Sequence, residues 1–579
     1  MGETVLFDFD GDFDLKQVET HGQGVEAKLV DSDAVKSLRV ELAAVPDAGI
    51  SLLAPGGAWD LSDRVAVVLE VENVGDNPVA LRGNLNEKAW IDGFAVLGPG
   101  ESDALEIILK RAQRHPQMFG LPGGHVALWE EAEPAKISRI TIAAVDATGP
   151  SAIEIEGVRA VGEYTATPEE GVARALTPFV DRYGQYKHEE WPGKTHSDED
   201  LAAQRRGEDE ELDAYGGPDD WNQYGGWAAG PRLEATGHFR TWKHDGTWWL
   251  VDPEGCLFWS HGIDCVRLET PTPTEGREDY FDDVDERFHK RGSYDVSAPN
   301  LLRKYGEDWE NVTAERAHRR LHSWGMNTMA NWSDESLYLL RRTPYVVAVH
   351  YHSRELGEFP YRDMDMFRQV LRERLAQEKG KTSDDPWCIG YFVGNELRWP
   401  EEGRAELADT YYRICSEEVK RLAPDKLYLG SRLHDHTHPF GGTEDVVRAS
   451  AKYCDVVSVN RYRFSPSDLR MPEGVDKPLI IGEFHFGALD RGLLHTGLRS
   501  LANQGQRAAT YRHYVREALR HPHIVGTHWF QYRDQAVSGR FDGENCQIGF
   551  LDICDTPYRE TVAASRDVGR EIYEIRSGR

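Results

Sequence analysis

Two glutamates, Glu396 in "IGYFVGNELRWP" and Glu483 in "PLIIGEFHFG", each stand where an apolar run should be leaving a core. A single carboxyl at such a place can be a salt-bridge or helix-cap partner. Two that face one cleft can hydrolyse a glycoside, one protonating the departing oxygen while the other attacks the sugar or activates water. Asn395 directly precedes the first, and its amide could hold a sugar hydroxyl. The two glutamates lie 87 positions apart, so a large scaffold must bring them together.

From about residue 231 the chain alternates short apolar strands with helical patterns such as "TAERAHRRLHSWG" and "NQGQRAATYRHYVREALR". Core strands are expected near 257–263, 328–331, 345–350, 389–393, 427–430, 456–459, 479–481 and 524–527. Asp245-Gly246 marks a hairpin ahead of the first. Eight such units predict an α/β fold, a (β/α)8 TIM barrel over 231–579. Its chemistry belongs at the C-terminal strand ends, so the polar residues found there are the candidates. The first three strands offer His261, Asp264 and Arg267, then Asn331 and Trp332, then His350 and His352. The fourth offers Asn395, Glu396 and Trp399, and the fifth His434. The last three offer Asn460 and Tyr462, Glu483 and His485, and His528 and Trp529. Sugar rings stack on aromatic faces, which favours Trp529, although any one tryptophan also packs well in a core.

Ahead of the barrel, residues 1–163 form short alternating segments such as "RVAVVLEVEN" and "ISRITIAAV". They predict an all-β sandwich or jelly roll. Residues 164–230 read as an acidic connector wrapping the barrel, with one helix over "SDEDLAAQRRGEDEELDAYG".

Composition narrows the partners. Across 579 residues the net charge is −31, which opposes a phosphate-binding groove and excludes nucleic acid as a natural partner. No run approaches the roughly 18 apolar residues of a membrane span. Seven cysteines without a CxxC pair read as buried free thiols. The acidic N-terminus carries no secretory signal, so the chain acts in the cytoplasm or has lost an export signal. No GxGxxG or P-loop follows the first strand, and no cofactor is expected. A competing reading, a metallohydrolase, rests on His434, His436 and His438 in "RLHDHTHP" together with His350 and His352. Oligomeric state is left open.

The motifs "GTWWLVDPEGCLFWSHGID", "GMNTMANW", "FVGNELRW", "GEFHFGALDRG" and "HWFQYRDQ" resemble those of glycoside hydrolase family 50, the β-agarases, within the retaining barrel enzymes of clan A. The resemblance implies Glu396 as general acid/base and Glu483 as nucleophile. It implies that Asn395 binds the hydroxyl beside the reacting carbon and that Tyr462 hydrogen-bonds Glu483. The wider substrate-binding set is then Asn395, Tyr462, Trp529, His350, His352, Asn331, Arg267, His485, Trp399 and His434, with no metal. It further implies a carbohydrate-binding-module-like sandwich, an agarose or agaro-oligosaccharide substrate cut at β-1,4-galactosidic bonds, and exo-type release of neoagarobiose by a secreted or periplasmic enzyme. A β-galactosidase or other galactan hydrolase is the alternative within the class, and an inactive carbohydrate-binding barrel the alternative outside it. Retention demands carboxyls about 5 to 5.5 Å apart.

Overall fold

The computed structural model describes residues 2–9, 13–32, 35–45, 47–111, 118–122, 131–164, 175–351, 353–354, 356–357, 359–434 and 443–578. In the N-terminal part, alternation of apolar and polar residues produces strands buried on one side only, as in Ala66–Asn73 and Arg139–Val145. They form two antiparallel sheets. One carries Glu26–Ser32, Val35–Leu42, Ser151–Val161, Ala66–Asn73 and Ser102–Ile108 in that order, with Glu3–Phe7 also on Ser151–Val161. The other runs Val18–His21, Gly49–Leu53, Arg139–Val145, Val79–Leu85 and Asp92–Leu97. Side chains of both sheets, among them Leu38, Leu69, Ile107, Ile50, Leu81 and Ile142, share one apolar core.

The acidic connector contains the helix Asp198–Ala214, begun by a capping box of Ser197 and Asp200. Its carboxylates are held by arginines of the C-terminal part of the chain. Glu208, nearly inaccessible, receives Arg320 at 2.6 Å and Arg316 at 3.2 Å, while Glu211 pairs with Arg566 and Asp213 with Arg319. Arg320 also pairs with Asp555 at 2.8 Å. Burial alone would raise the Asp555 carboxyl, but Arg320 and Arg533 hold it well below the usual range. Removing one partner of such a buried pair leaves the other charge uncompensated. Glu208→Ala is therefore expected to lower stability by about 3 kcal/mol, the low end for a broken buried pair because Asp555 still faces Arg320. The denaturant midpoint of unfolding checks this; an unchanged midpoint would reduce the helix to surface charge.

The remaining chain builds a curled nine-stranded parallel sheet. Its order is Leu427–Tyr428, Cys388–Val393, Tyr345–Val349, Thr328–Met329, Ser260–Ile263, Ile524–Trp529, Leu479–Phe484, Val457–Asn460 and Leu433–His434. The central strands are apolar throughout because both faces are covered: Cys388–Val393 and Leu479–Phe484 have no exposed residue. Helices such as Trp309–Ser323, Arg404–Leu422 and Gln504–Arg520 follow them. The expected hairpin is present as Arg240–His244 paired with Thr247–Val251, and both turn residues, Asp245 and Gly246, have the positive φ that a type I′ turn requires. Two features depart from the expected pattern. The fifth strand is two short pieces, Leu427–Tyr428 and Leu433–His434, one at each end of the sheet's path, with Gly430 and Arg432 at positive φ between them. After the first strand the chain makes a long excursion that contains a small sheet of its own, Pro271–Pro273, His289–Lys290 and Ser293–Asp295. All seven cysteines are free and buried. Among the described residues no helix is long and apolar enough to cross a membrane.

Candidate active site

The strand Cys388–Val393 ends at Gly394, and the chain turns sharply, with Glu396 at φ 49°. Its backbone N–H is shared by the carbonyls of Ser431 and Arg432, each at 3.2 Å, which fixes the turn against the break in the fifth strand. Glu483 lies inside Leu479–Phe484, where the pairing register shifts on both sides, and its carboxyl is almost wholly buried. Asn460, the last residue of Val457–Asn460, joins the two acids. Its side-chain nitrogen donates to Glu396 Oε1 at 2.9 Å and to Glu483 Oε1 at 2.8 Å, so these oxygens lie no farther apart than the sum of the two bonds, 5.7 Å. The same nitrogen reaches Asn395 Oδ1 at 3.3 Å.

A buried arginine faces Glu483. Arg432 Nη2 lies 3.0 Å from Glu483 Oε1 and 2.8 Å from Asp264 Oδ2, and also donates to the Gly482 carbonyl. Its Nε donates to Asn460 Oδ1 at 3.1 Å, and its guanidinium lies 4.3 Å from the centre of the Trp332 ring. The Tyr462 hydroxyl donates to the other Glu483 oxygen. Burial raises both catalytic candidates above the ordinary carboxyl range, Glu483 to about 7; there Arg432 and Tyr462 oppose the rise and the charge of Glu396 adds to it. Donors are unevenly divided. Among the described residues Glu483 receives a guanidinium, a phenol and an amide, whereas Glu396 receives the Asn460 amide, so the pair's proton is better placed on Glu396. Burial and the Glu483 charge push Tyr462 well above its ordinary range, keeping it a neutral donor.

The other sequence candidates fall into three groups. At the mouth, Trp332 donates its indole N–H to His350 Nε2 at 2.8 Å, and Arg267 donates to the Trp332 carbonyl. Asn331 is buried beside them, its carbonyl accepting from Cys265 N at 2.8 Å and its Oδ1 without a partner among the described residues. His485 packs against Tyr462 with ring centres 4.7 Å apart and accepts from Leu498 N at 2.9 Å; burial holds it down to about 3, hence neutral. Trp399 is part of an aromatic wall with Tyr361, Tyr411 and Tyr412. His434 sits exposed at the end of Leu433–His434. His352, His436 and His438 lie outside the described residues. Among those described, no three His, Cys, Asp or Glu side chains are grouped to hold a metal ion.

Trp529 requires correction as a sugar platform. It is fully enclosed, its indole N–H donates to the Ile548 carbonyl at 2.8 Å, and Phe484, Phe486, Tyr511 and Phe550 surround its ring. Side chains alternate along a strand, and Trp529 shares the helix-facing side with Phe484. The aromatic residue at that strand end that faces the mouth is the next one, Phe530, whose ring lies 5.9 Å from Trp332 and 6.1 Å from His485. Arg432 was not singled out from the sequence at all, and Glu544, near enough to raise both acids, stands in a loop that carries no strand signal.

No family model matches the chain. Among curated proteins it is similar to β-agarase B of Vibrio sp. (strain JT0107), 27% identical over 90% of this chain and 69% of that protein. It is equally identical, 27%, to β-agarase A of the same strain over 69% of this chain, which spans about half (52%) of that protein. Among solved structures, one described as an exo-β-agarase superposes with a TM-score of 0.76 at 25% identity, covering 99% of this chain and 100% of its own. In sequence over most of its length and in fold over nearly all of it, the chain is similar to β-agarases, the proteins of the family its motifs resemble.

Proposed function

We propose that the protein is a retaining β-glycoside hydrolase that cleaves β-1,4-galactosidic bonds of agarose or agaro-oligosaccharides, releasing neoagarobiose from chain ends. The observation that carries the reading is the single Asn460 amide touching both carboxyls, because the 5.7 Å limit it sets suits direct attack and is too short for the 6.5 to 9.5 Å of an inverting site. In the first step Glu396 gives its proton to the glycosidic oxygen as Glu483 bonds to the anomeric carbon and the carbon–oxygen bond breaks. In the second, water attacks that carbon, Glu396 takes the water's proton, and Glu483 leaves. Asn395 is assigned to the hydroxyl beside the reacting carbon, and Trp332 and Phe530 to the sugar faces at the mouth.

The nine-stranded sheet is read as a (β/α)8 barrel closed through its split fifth strand, since the two outermost members are successive pieces of one segment. The two N-terminal sheets are read as a carbohydrate-binding-module-like sandwich. The relatives' names support the choice of agarose as substrate.

The test combines product analysis with stereochemistry. Agarose, another galactan and an aryl β-galactoside are digested side by side, and the anomeric proton of the first product is followed by NMR. Agarose is expected to give neoagarobiose as the earliest product, with the new reducing end first appearing as the β anomer. A first-formed α anomer overturns the double displacement; turnover of the other two substrates without agarose overturns the substrate.

A further inference from the structure

The site holds two buried carboxyls, Glu483 and Asp264, a half-buried one, Glu396, and the buried guanidinium of Arg432, and the chemistry above uses only two of the acids. Asp264 follows the first strand, is wholly inaccessible, and has its Oδ2 2.8 Å from the Arg432 nitrogen that also lies 3.0 Å from Glu483 Oε1. Two carboxylates on one NH2 group of a guanidinium make an arrangement in which each limits the other's claim on the charge. We propose that Asp264 is a positioning residue that shares Arg432 with Glu483 in the resting enzyme and keeps that guanidinium neutralised while Glu483 is esterified.

This inference rests on the reading of Glu483 as the nucleophile. When Glu483 bonds to the anomeric carbon it loses its negative charge, and the proton that Glu396 held leaves with the departing sugar. Arg432 cannot follow, being buried with a short tether to Gly482 and Asn460. Without Asp264 the guanidinium would then touch only an uncharged ester, and the charge nearest to it would be the newly ionised Glu396 on the far side of Asn460, a looser compensation for a buried cation than a carboxylate in direct contact. With Asp264 the pair Arg432–Asp264 stays neutral through both halves of the reaction. In the resting state the same sharing weakens the hold of Arg432 on Glu483 and leaves its carboxylate more nucleophilic. Burial raises the Asp264 carboxyl and Arg432 opposes the rise, so the guanidinium is what favours its charged form.

Among the described residues the charges facing Glu483 from each neighbouring element are Arg432 on the split fifth strand, Glu396 after the fourth and Glu544 on the loop beyond the last, with Asp264 after the first in mutual repulsion with it. His485 and His528 on the last two strands are held neutral by burial, and Tyr462 is a neutral donor. Removing the Asp264 charge takes away one repulsion and leaves the whole of Arg432 to Glu483, so the Glu483 pKa falls. The acid limb of kcat/KM, which reports ionisation of the nucleophile, then moves to lower pH.

Asp264→Asn is the test, with Asp264→Ala measured beside it in case the amide packs badly against Arg432. The expected result is an acid limb lowered by about one pH unit, kcat on agaro-oligosaccharide reduced about tenfold or more, and KM little changed. A limb at the wild-type pH in the folded variant, whatever the loss of rate, would reduce Asp264 to a structural ion-pair partner. Glu483→Gln separates the two readings: if it retains turnover, the assignment of the site fails, and if it is inactive while the limb stays put, only the role given to Asp264 fails.

Discussion

Glu483→Gln stops turnover, lowering kcat on agarose by about 10⁵-fold or more, while the protein stays folded and still holds its oligosaccharide. An amide oxygen is too weak a nucleophile to attack the anomeric carbon, and no second carboxyl stands in the place Glu483 occupies: Glu396 is on the other side of Asn460, and Asp264 lies behind Arg432. Folding survives because the substitution keeps the volume and leaves no unpaired buried charge. Arg432 retains Asp264 at 2.8 Å, and Tyr462 can donate to the new side chain's carbonyl as it now does to the carboxylate. Three measurements decide the matter together: release of reducing ends, calorimetric titration with an agaro-oligosaccharide, and the unfolding temperature. Turnover within tenfold of wild type would sink the nucleophile assignment. Lost turnover with lost binding or a greatly lowered unfolding temperature would place Glu483 in the framework of the site instead of its chemistry.

The two acids were legible because a strand buried in a parallel sheet is an unbroken apolar run, so the first polar residues after it are conspicuous: "IGYFVGNE" and "PLIIGE" announce their own tips. Arg432 was hidden for the opposite reason. "LYLGSRLHDH" reads as a strand over 427–430 followed by a histidine-bearing loop, whereas after the positive φ of Gly430 and Arg432 the chain resumes the sheet at Leu433–His434 and turns the Arg432 side chain inward under Asn460. A backbone break leaves no mark on hydrophobic periodicity, and an arginine next to a leucine ordinarily reads as the exposed end of a strand. Trp529 failed by one position. Strand alternation decides which of two adjacent aromatics faces the mouth, and the sequence pattern alone does not fix the phase at the last residue of a strand, so Phe530 took the place given to its larger neighbour. The acidic helix Asp198–Ala214 shows a related limit: its charges are plain in the sequence, but their partners Arg316, Arg320 and Arg566 are a hundred or more residues away, and only packing reveals that Glu208 is buried.

The second large effect is expected at Glu396 and depends on the leaving group. Glu396→Gln cannot protonate the glycosidic oxygen, so on agarose, whose departing group is a sugar hydroxyl of high pKa, kcat should fall about 10³- to 10⁴-fold. On an aryl glycoside with an acidic phenol, departure needs no proton; Glu483, still held by Arg432 and Tyr462, forms the glycosyl-enzyme at nearly the wild-type rate. The second step then stalls, because no base remains to take the proton of the incoming water. Phenol should therefore appear in a burst equal to the enzyme concentration, followed by slow turnover, and intact-mass analysis should find the sugar attached to the protein. Azide, a nucleophile that has no proton to lose, should restore turnover and give a glycosyl azide of β configuration. Equal losses on both substrates, or no response to azide, would remove Glu396 from the proton transfer and leave it as a hydrogen-bond partner of Asn460, since each of the three signatures follows from the transfer of a proton and none from packing.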